Sequence, residues 1–447
     1  MGGANAPTVP NAGRVAAAGS GTTQPPAAGA AALAAGAPAA TGGAGAAGQP
    51  AGAPMGKGFY HLERLGRGLV AVVEGAGVFV SWRMLGPEYD AQRPERVSYE
   101  LLRDGTKLAD VKAGTDYLDA MGQATSRYSV RALVDGVPGE LSPEVTPWAQ
   151  NYLRIPLTPP SANYTANDAS VADLDGDGEY EIILKWDPND AKDNSQAGVT
   201  SPVFLDGLKL DGKRLWRIDL GPNIRAGAHY TQFIVFDLDG DGRAELGVKT
   251  APGTKAGDGK FLALGPAAMD DDAATFRNGD GYVLSGPEYL SVFSGADGRE
   301  LATVPYDVPR GQVSSWGDDY GNRVDRFLAT AAYLDDTGLP SLVMARGYYT
   351  RTTLVAWNFR AGKLTQLWKF DSNATPKDAK GRAYTGQGAH SLSVANVDKD
   401  PQQEIVYGSM IVDHDGKGKC STGYNHGDAL HVSDFVPEHP GLEVFMP

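Results

Sequence analysis

Three stretches of the chain place acidic side chains at alternate positions, where they can close around one cation. In VADLDGDGEYEIILKW, Asp173, Asp175 and Asp177 occupy positions one, three and five of a turn, followed by Gly178 at six, Glu179 at seven and Glu181 at nine. VFDLDGDGRAELGVKT repeats this with Asp237, Asp239, Asp241, Gly242, Arg243 and Glu245, and VANVDKDPQQEIVYGS with Asn396, Asp398, Asp400, Gln402 and Glu404. Oxygen ligands at one, three, five, seven (a main-chain carbonyl) and nine, with Gly where the chain turns sharply, form the front of a calcium loop. An EF-hand is excluded: position twelve is Leu184 in place of a bidentate Glu, and the run from Glu181 to Trp186 has strand composition. Like charges ~4 Å apart cost about 1 kcal/mol in water and about 4 at an effective dielectric of ~20, so each turn favours a divalent cation. The expected work of that cation is to staple the turn, away from substrate.

Other polar residues gather outside these turns. Asn167 and Asp168 precede the first; Lys185, Trp186 and Asp187 follow it. NIRAGAHYTQF carries Arg225, His229 and Tyr230, KTAPGT carries Lys249, and WGDDYGNRVDRF and RGYYTR lie further on. GQGAHSLSV supplies His390, and HGDALHVSD supplies His426, Asp428 and His431. Two histidines in Gly-rich turns, with an Asp two positions after the second, read as a metal-ligand set; His431, on a strand, reads as a packed residue. By chemistry alone, two imidazoles and a carboxylate suit zinc or another transition metal better than calcium.

The elements that must hold these residues are strands. Two weaker copies of the acidic turn occur in AAYLDDTGLPSLVMAR, with Asp335 and Gly338, and in VSDFVPEHPGLEVF, with Asp434 and, one residue late, Glu443. Between the copies lie FLDGLKLDGKRLWRIDL, LSVFSGADGRELATV and LVAWNFRAGKLTQLWKF, each two strand-like runs joined by a Gly turn. Repeated strand clusters with almost no helical period predict a propeller or a solenoid from about residue 149 to 447. Residues 58–148 read as a small all-β domain, in which Trp82 and Tyr128 resemble the core Trp and the tyrosine corner of a fibronectin type III sandwich. Residues 1–57 are Ala, Gly and Pro with almost no charge, a composition that predicts a disordered linker and lacks the basic start of a signal peptide.

Taken together, YTANDASVADLDGDGEYEIILKWDP, LWRIDLGPNIRAGAHYTQF, WGDDYGNRVDRFLA, RGYYTR, GQGAH and HGDALHV closely resemble the rhamnogalacturonan lyases of polysaccharide lyase family 11, from about residue 60 to the last residue. The resemblance implies an all-β chain, a fibronectin-III-like β-sandwich followed by an eight-bladed β-propeller that here lacks its last blades, since relatives continue past Pro447. It implies several bound Ca2+ ions, a monomer, secretion or a periplasmic location, and rhamnogalacturonan I as substrate, cleaved by β-elimination at the rhamnose–galacturonate bond. Carried over to matching positions, it makes His390, His426 and Asp428 the ligands of a cleft calcium, Asp168 a further metal ligand, and Asn167 and Asp187 substrate contacts. It thereby decides for calcium at the histidine pair, against the preference of the donor set. Lys185, Lys249, His229 and Arg351 are the candidates for the base, because polysaccharide lyases generally use Lys, Arg, His or Tyr.

Composition narrows the alternatives. A chain of 447 residues with net charge −14 argues against nucleic-acid binding, which calls for a basic face. Binding an acidic polymer then needs local positive charge from metal, Arg or Lys. Cys420 is the only cysteine, so no intrachain disulfide forms. No apolar run approaches ~18 residues, so no membrane span is expected. The competing expectation is a non-catalytic, calcium-stabilised propeller that binds polysaccharide or protein.

Overall fold

The computed structural model describes residues 60–90 and 92–447, so the linker expected at 1–57 lies outside the described residues. Among them there are twenty-five strands and four short 3-10 turns and no α-helix. Nor is any helix long and apolar enough to cross a membrane.

The first seven strands are β1 (Val70–Glu74), β2 (Gly77–Ser81), β3 (Val97–Arg103), β4 (Thr106–Val111), β5 (Asp116–Asp119), β6 (Tyr128–Val134) and β7 (Val137–Pro138). They form two antiparallel sheets, ordered β1-β2-β5 and β4-β3-β6-β7. Alternate residues of both, including Ala71, Val78, Val80, Tyr99, Leu101, Val130 and Ala132, bury into one core with Trp82, whose ring meets Tyr99 edge-on at 5.4 Å. Tyr128 differs from a tyrosine corner in its partner. Its buried hydroxyl donates to the Asp119 carboxylate at 2.8 Å instead of a main-chain group, and Asp119 is held in turn by Arg103 and by the Met121 N–H. Because Arg103 and Met121 keep Asp119 paired, Tyr128→Phe is expected to lose about 1.5–3 kcal/mol, the value of one hydrogen bond to a charge, in urea unfolding.

Four four-stranded sheets and one two-stranded sheet follow in chain order. The first holds β8 (Tyr164–Ala172), β9 (Glu181–Pro188), β10 (Phe204–Leu208) and β11 (Arg214–Asp219). The second holds β12 (Phe233–Phe236), β13 (Glu245–Thr250), β14 (Tyr289–Ser294) and β15 (Glu300–Pro305). In the third are β16 (Phe327–Ala332), β17 (Ser341–Arg346), β18 (Thr353–Arg360) and β19 (Lys363–Asp371), and in the fourth β20 (Leu392–Ala395), β21 (Glu404–Tyr407), β22 (Met410–Val412) and β23 (Gly418–Ser421). The last pair is β24 (His431–Ser433) with β25 (Glu443–Phe445). Each sheet is an up-and-down meander, and the first strands β8, β12, β16, β20 and β24 lie side by side in that order. One antiparallel unit is thus repeated, each copy set beside the one before.

Burial follows position within the unit. Three of the five second strands are unbroken buried runs, every residue of β13, β17 and β21 being buried, while β9 is interrupted twice and β25 is largely exposed. First strands stay half open; β20 is partly exposed throughout. Apolar cores between successive sheets do the fastening: Leu205, Ile218, Leu246 and Phe293 between first and second, Leu290, Trp316, Leu342 and Phe359 between second and third, and Leu354, Phe370, Ile405 and Tyr407 between third and fourth.

Candidate functional site

Every unit has two ends, and the polar residues divide between them. The acidic turns connect first strand to second at one end. The position-nine Glu fixes each turn by accepting the position-two N–H: Glu181 from Leu174 at 2.8 Å, Glu245 from Leu238 at 2.8 Å and Glu404 from Val397 at 2.7 Å. Glu443, one residue late, keeps the same bond to Phe435 at 2.9 Å. Asp173 accepts from Gly176 and Gly178, and Asp237 from Gly240 and Gly242, at 2.7–2.9 Å. Gly178 sits at φ +86, where a side chain would be strained, so the position-six Gly is a backbone requirement. Glu179 and Arg243 stand at position seven with their N–H groups on Asp177 and Asp241.

The oxygen-only donors of the first two turns fit calcium. Asp175 has a buried carboxylate oxygen without a partner, and the Lys209 ammonium lies against Asp175, Asp177 and Glu181 at 2.6–3.0 Å, doing part of a cation's work. In the second turn, burial first, then Asp239 and Asp237, push Glu245 up to about 9, as expected of a carboxylate waiting for a cation. The weaker Asp335 turn is satisfied internally, by Thr337 and by Asn358 at 2.8 Å.

At the opposite end, the second strands finish and the segments entering the next first strands cross one another. The rise along β9 from Glu181 to Asp187 puts this rim roughly 20 Å from the acidic turns. Here β8 bulges: Ala166 pairs with Trp186 and Ala169 with Leu184, so Asn167 and Asp168 are extruded as an unpaired dipeptide. Bulges re-aim side chains beside active sites. Asn167, Asp168 and Asp187 with Ala191, Lys192, Asp193, Gly227 and Ala228 line a pocket of about 330 Å³. Lys185, wholly buried, donates to Asp168 at 3.1 Å and lies 3.7 Å from Asp187. Asp187 is pushed up by burial against the pull of Lys185, and one of its oxygens is buried and unpartnered beside the pocket.

The same rim assembles the histidines. His229 and His390 stand 5.5 Å apart between ring centroids, and His390 and His426 4.9 Å. Tyr348 joins them, its hydroxyl 3.4 Å from Nδ1 of both His229 and His390 while Arg326 donates to it at 3.0 Å. Ala389 and Gly427 bridge in parallel, which brings the His390 segment beside His426 and Asp428. The three can offer ligand atoms within 4.8 Å of one another. His426 donates Nδ1–H to the Gly388 carbonyl at 2.7 Å, which leaves Nε2 with a lone pair, the usual arrangement of a ligating imidazole. Burial, then Arg326 and His390, lower His229 to about 4, so it is neutral near pH 7.

The other candidates for the base are placed differently. Lys249 is buried on Glu288 at 3.2 Å, beneath the rim, and Arg351 is tied to Asp371 and stacked over Trp316. Sequence reading missed the parts that Asp193, Arg326, Tyr348 and Tyr349, whose hydroxyl lies 3.4 Å from His390 Nε2, take here. Arg326 and both tyrosines stood inside polar motifs already set apart, WGDDYGNRVDRF and RGYYTR; Asp193, 3.7 Å from His229 Nε2, carried no signal of its own.

Comparison with known proteins completes the picture. Residues 156–447 match the C-terminal domain of rhamnogalacturonan lyase family 11, and residues 60–148 match the beta-sheet domain of rhamnogalacturonan I lyases. The chain is 55% identical over 395 residues to rhamnogalacturonan endolyase YesW of Bacillus subtilis (strain 168), covering 86% of this chain and 61% of that protein. To rhamnogalacturonan exolyase YesX of the same strain it is 53% identical, covering 86% of this chain and 62% of that protein. The solved structure of the Bacillus licheniformis rhamnogalacturonan lyase PL11 superimposes with a TM-score of 0.79 at 54% identity, over 87% of this chain and 66% of that one. The chain thus spans somewhat over three-fifths of the curated relatives it matches, and it belongs to rhamnogalacturonan lyase family 11.

Proposed function

We propose that this chain carries the cleft of a rhamnogalacturonan lyase that cuts the rhamnose–galacturonate bond of rhamnogalacturonan I by β-elimination, with calcium in the cleft and in the first two acidic turns. The observation that carries the reading is His229, whose ring stands 5.5 Å from His390 of the His390–His426–Asp428 group and whose Nε2 lies 3.7 Å from Asp193 in the lining of the Asn167–Asp187 pocket. Elimination takes the proton from C5 of galacturonate, forms the C4–C5 double bond, breaks C4–O and returns a proton to the leaving oxygen. A bound divalent ion would supply charge stabilisation at the uronate carboxylate, which acidifies C5. Asn167 and Asp187 would orient the sugar. His229, its Nδ1 toward Tyr348, presents Nε2 to the pocket and takes the C5 proton; the resulting imidazolium is the nearest donor for the leaving oxygen. Lys185, Lys249 and Arg351, enclosed by carboxylates, serve structure and charge balance.

The sandwich would be a fibronectin-III-like spacer and the repeated sheets part of an eight-bladed ring. A polymeric cell-wall substrate places the work outside the cytoplasm. Incubation with rhamnogalacturonan I should release ultraviolet-absorbing unsaturated uronate; a binding propeller or a hydrolase releases none. His229→Gln is expected to lower kcat ~10²–10⁴-fold with substrate binding retained, measured by steady-state rates and by calorimetry. Calcium at 100 times its dissociation constant should add ~2.7 kcal/mol per turn in thermal melts, an increment that Asp239→Asn removes for the second turn.

A further inference from the structure

The third acidic turn is built unlike the first two. Positions four and six are Gly176 and Gly178 in the first and Gly240 and Gly242 in the second, whereas the third has Lys399, at φ +71, and Pro401. Pro401 has no N–H to give a position-one side chain, and that side chain is the uncharged Asn396, whose amide turns to the Asp400 carbonyl. Position three, Asp398, carries Lys419 at 2.5 Å much as Asp175 carries Lys209 in the first turn. An oxygen-only calcium shell thus loses its position-one anion here.

A different donor set replaces it, drawn from the hairpin between β22 and β23. His414 Nδ1 stands 3.4 Å from Asp400 Oδ2 and 3.9 Å from Glu404 Oε1, and the three residues can offer ligand atoms within 4.8 Å of one another, while the neighbouring Asp413 is held by Lys419 at 3.1 Å. Ligands about 2.0–2.2 Å from a tetrahedral zinc lie roughly 3.3–3.6 Å apart, so these three approach the spacing of one shared ion. Two of the atoms have no other occupation. The Glu404 side chain is 0% exposed with Oε1 unpartnered, and His414 Nδ1 is likewise buried without a hydrogen bond. Trp368 donates its indole N–H to the His414 carbonyl at 2.6 Å and so fixes the hairpin that presents the imidazole. A buried orphan carboxylate oxygen facing an orphan imidazole nitrogen is a costly pair to leave without a cation.

We propose that Asp400, Glu404 and His414 form a structural site for a zinc-class divalent ion, clamping the third acidic turn to the β22–β23 hairpin, in place of a third calcium turn. Imidazole with carboxylates favours zinc and its neighbours over calcium, a preference that only the family resemblance overrides at the cleft histidines. The site is independent of the lyase reading.

The test uses cobalt(II), whose visible absorption reports nitrogen ligation and low coordination number. To silence the histidines of the cleft, the parent is the full chain with His390→Asn and His426→Asn, stripped by chelator and titrated with cobalt in excess calcium. The expected result is one equivalent with visible ligand-field absorption, displaced by stoichiometric zinc and lost in His414→Asn. Since His414 is a third exposed, its replacement leaves the core filled, and a melt in calcium checks this. If Glu404→Gln folds, it loses the same equivalent. Absence of bound cobalt in the parent, displacement by calcium, or an unchanged spectrum in His414→Asn would each overturn the proposal.

Discussion

Glu288→Gln is expected to destabilise the protein by about 3–5 kcal/mol, the cost of leaving buried charge uncompensated. Glu288 lies just before β14 and is 7% exposed at the side chain. Its carboxylate receives Arg346 at 2.7 Å and 3.0 Å, Arg310 at 2.9 Å and Lys249 at 3.2 Å. Asp325, 3.2 Å from Arg346, is the other anion of the group. Three cations against two carboxylates already leave a net positive charge, so an amide at position 288 leaves three cations facing one anion. Those groups come from β13, β17 and the segments entering β14 and β16, which makes the cluster an electrostatic rivet between the second and third sheets, directly under the rim that carries Arg326 and Tyr348. The same cluster sets an acid limit. Burial pushes Glu288 up, but Arg346, Lys249 and Arg310 outweigh it and hold the carboxyl well below its ordinary range. A depressed acid contributes stability that is complete above the unfolded value, about 4.3, and lost as pH falls from there through the folded value. Urea unfolding from pH 7 down to pH 3 should therefore show the difference between wild type and Glu288→Gln shrinking as the solution is acidified. A constant difference would show that Glu288 contributes by packing and not by charge.

How far the sequence reached depended on whether the physics was local. The acidic turns were legible because a turn is a local object: alternate carboxylates, a Gly at position six and a Glu at nine suffice, and the Glu-to-position-two bond repeats as the spacing requires, even one residue late at Glu443. The meanders were legible for the same reason, each being two short runs and a Gly turn. The rim was legible only in part. His390, His426 and Asp428 meet because Ala389 and Gly427 pair across thirty-eight residues, and the family resemblance supplied what spacing does not. The bulge at Asn167 and Asp168 was invisible, since nothing in an alternating run announces that two residues fail to pair. So was the fate of the candidate bases. Lys185, Lys249 and Arg351 look alike as free cations in the sequence, and only the placement of Asp168, Glu288 and Asp371 shows that each is answered by a carboxylate. Lys209 and Lys419, entering acidic turns from neighbouring hairpins, are the converse case: unremarked residues that take on part of the neutralisation assigned to metal.

Replacing His390 and His426 by alanine is expected to remove the activity almost entirely, by ~10³-fold or more in kcat/KM, equivalent to about 4 kcal/mol of transition-state stabilisation. In the proposed elimination the ion held there would be the concentrated positive charge: Arg326 is spent on Asn322 and Tyr348 and Lys185 on Asp168 and Asp187, while Lys192 in the pocket lining brings a single charge. His426 is oriented by the Gly388 carbonyl and His390 by Tyr348, so the two imidazoles are set in place before any ion arrives, and substrate binding alone does not restore them. The variant should still melt cooperatively in calcium, lower only by the contribution of the one cleft ion it gives up. The rim lies roughly 20 Å from the acidic turns along the strands, so the ions proposed for those turns stay in place. The mirror experiment is Asp239→Asn in the second turn, which should lower the melting temperature in calcium and leave kcat near its original value. Measuring unsaturated-uronate release and calcium-dependent melting on both variants gives a double dissociation. If Asp239→Asn abolishes turnover while folded, or the histidine pair can be removed without loss of rate, the division of labour between the two ends of the sheets is wrong.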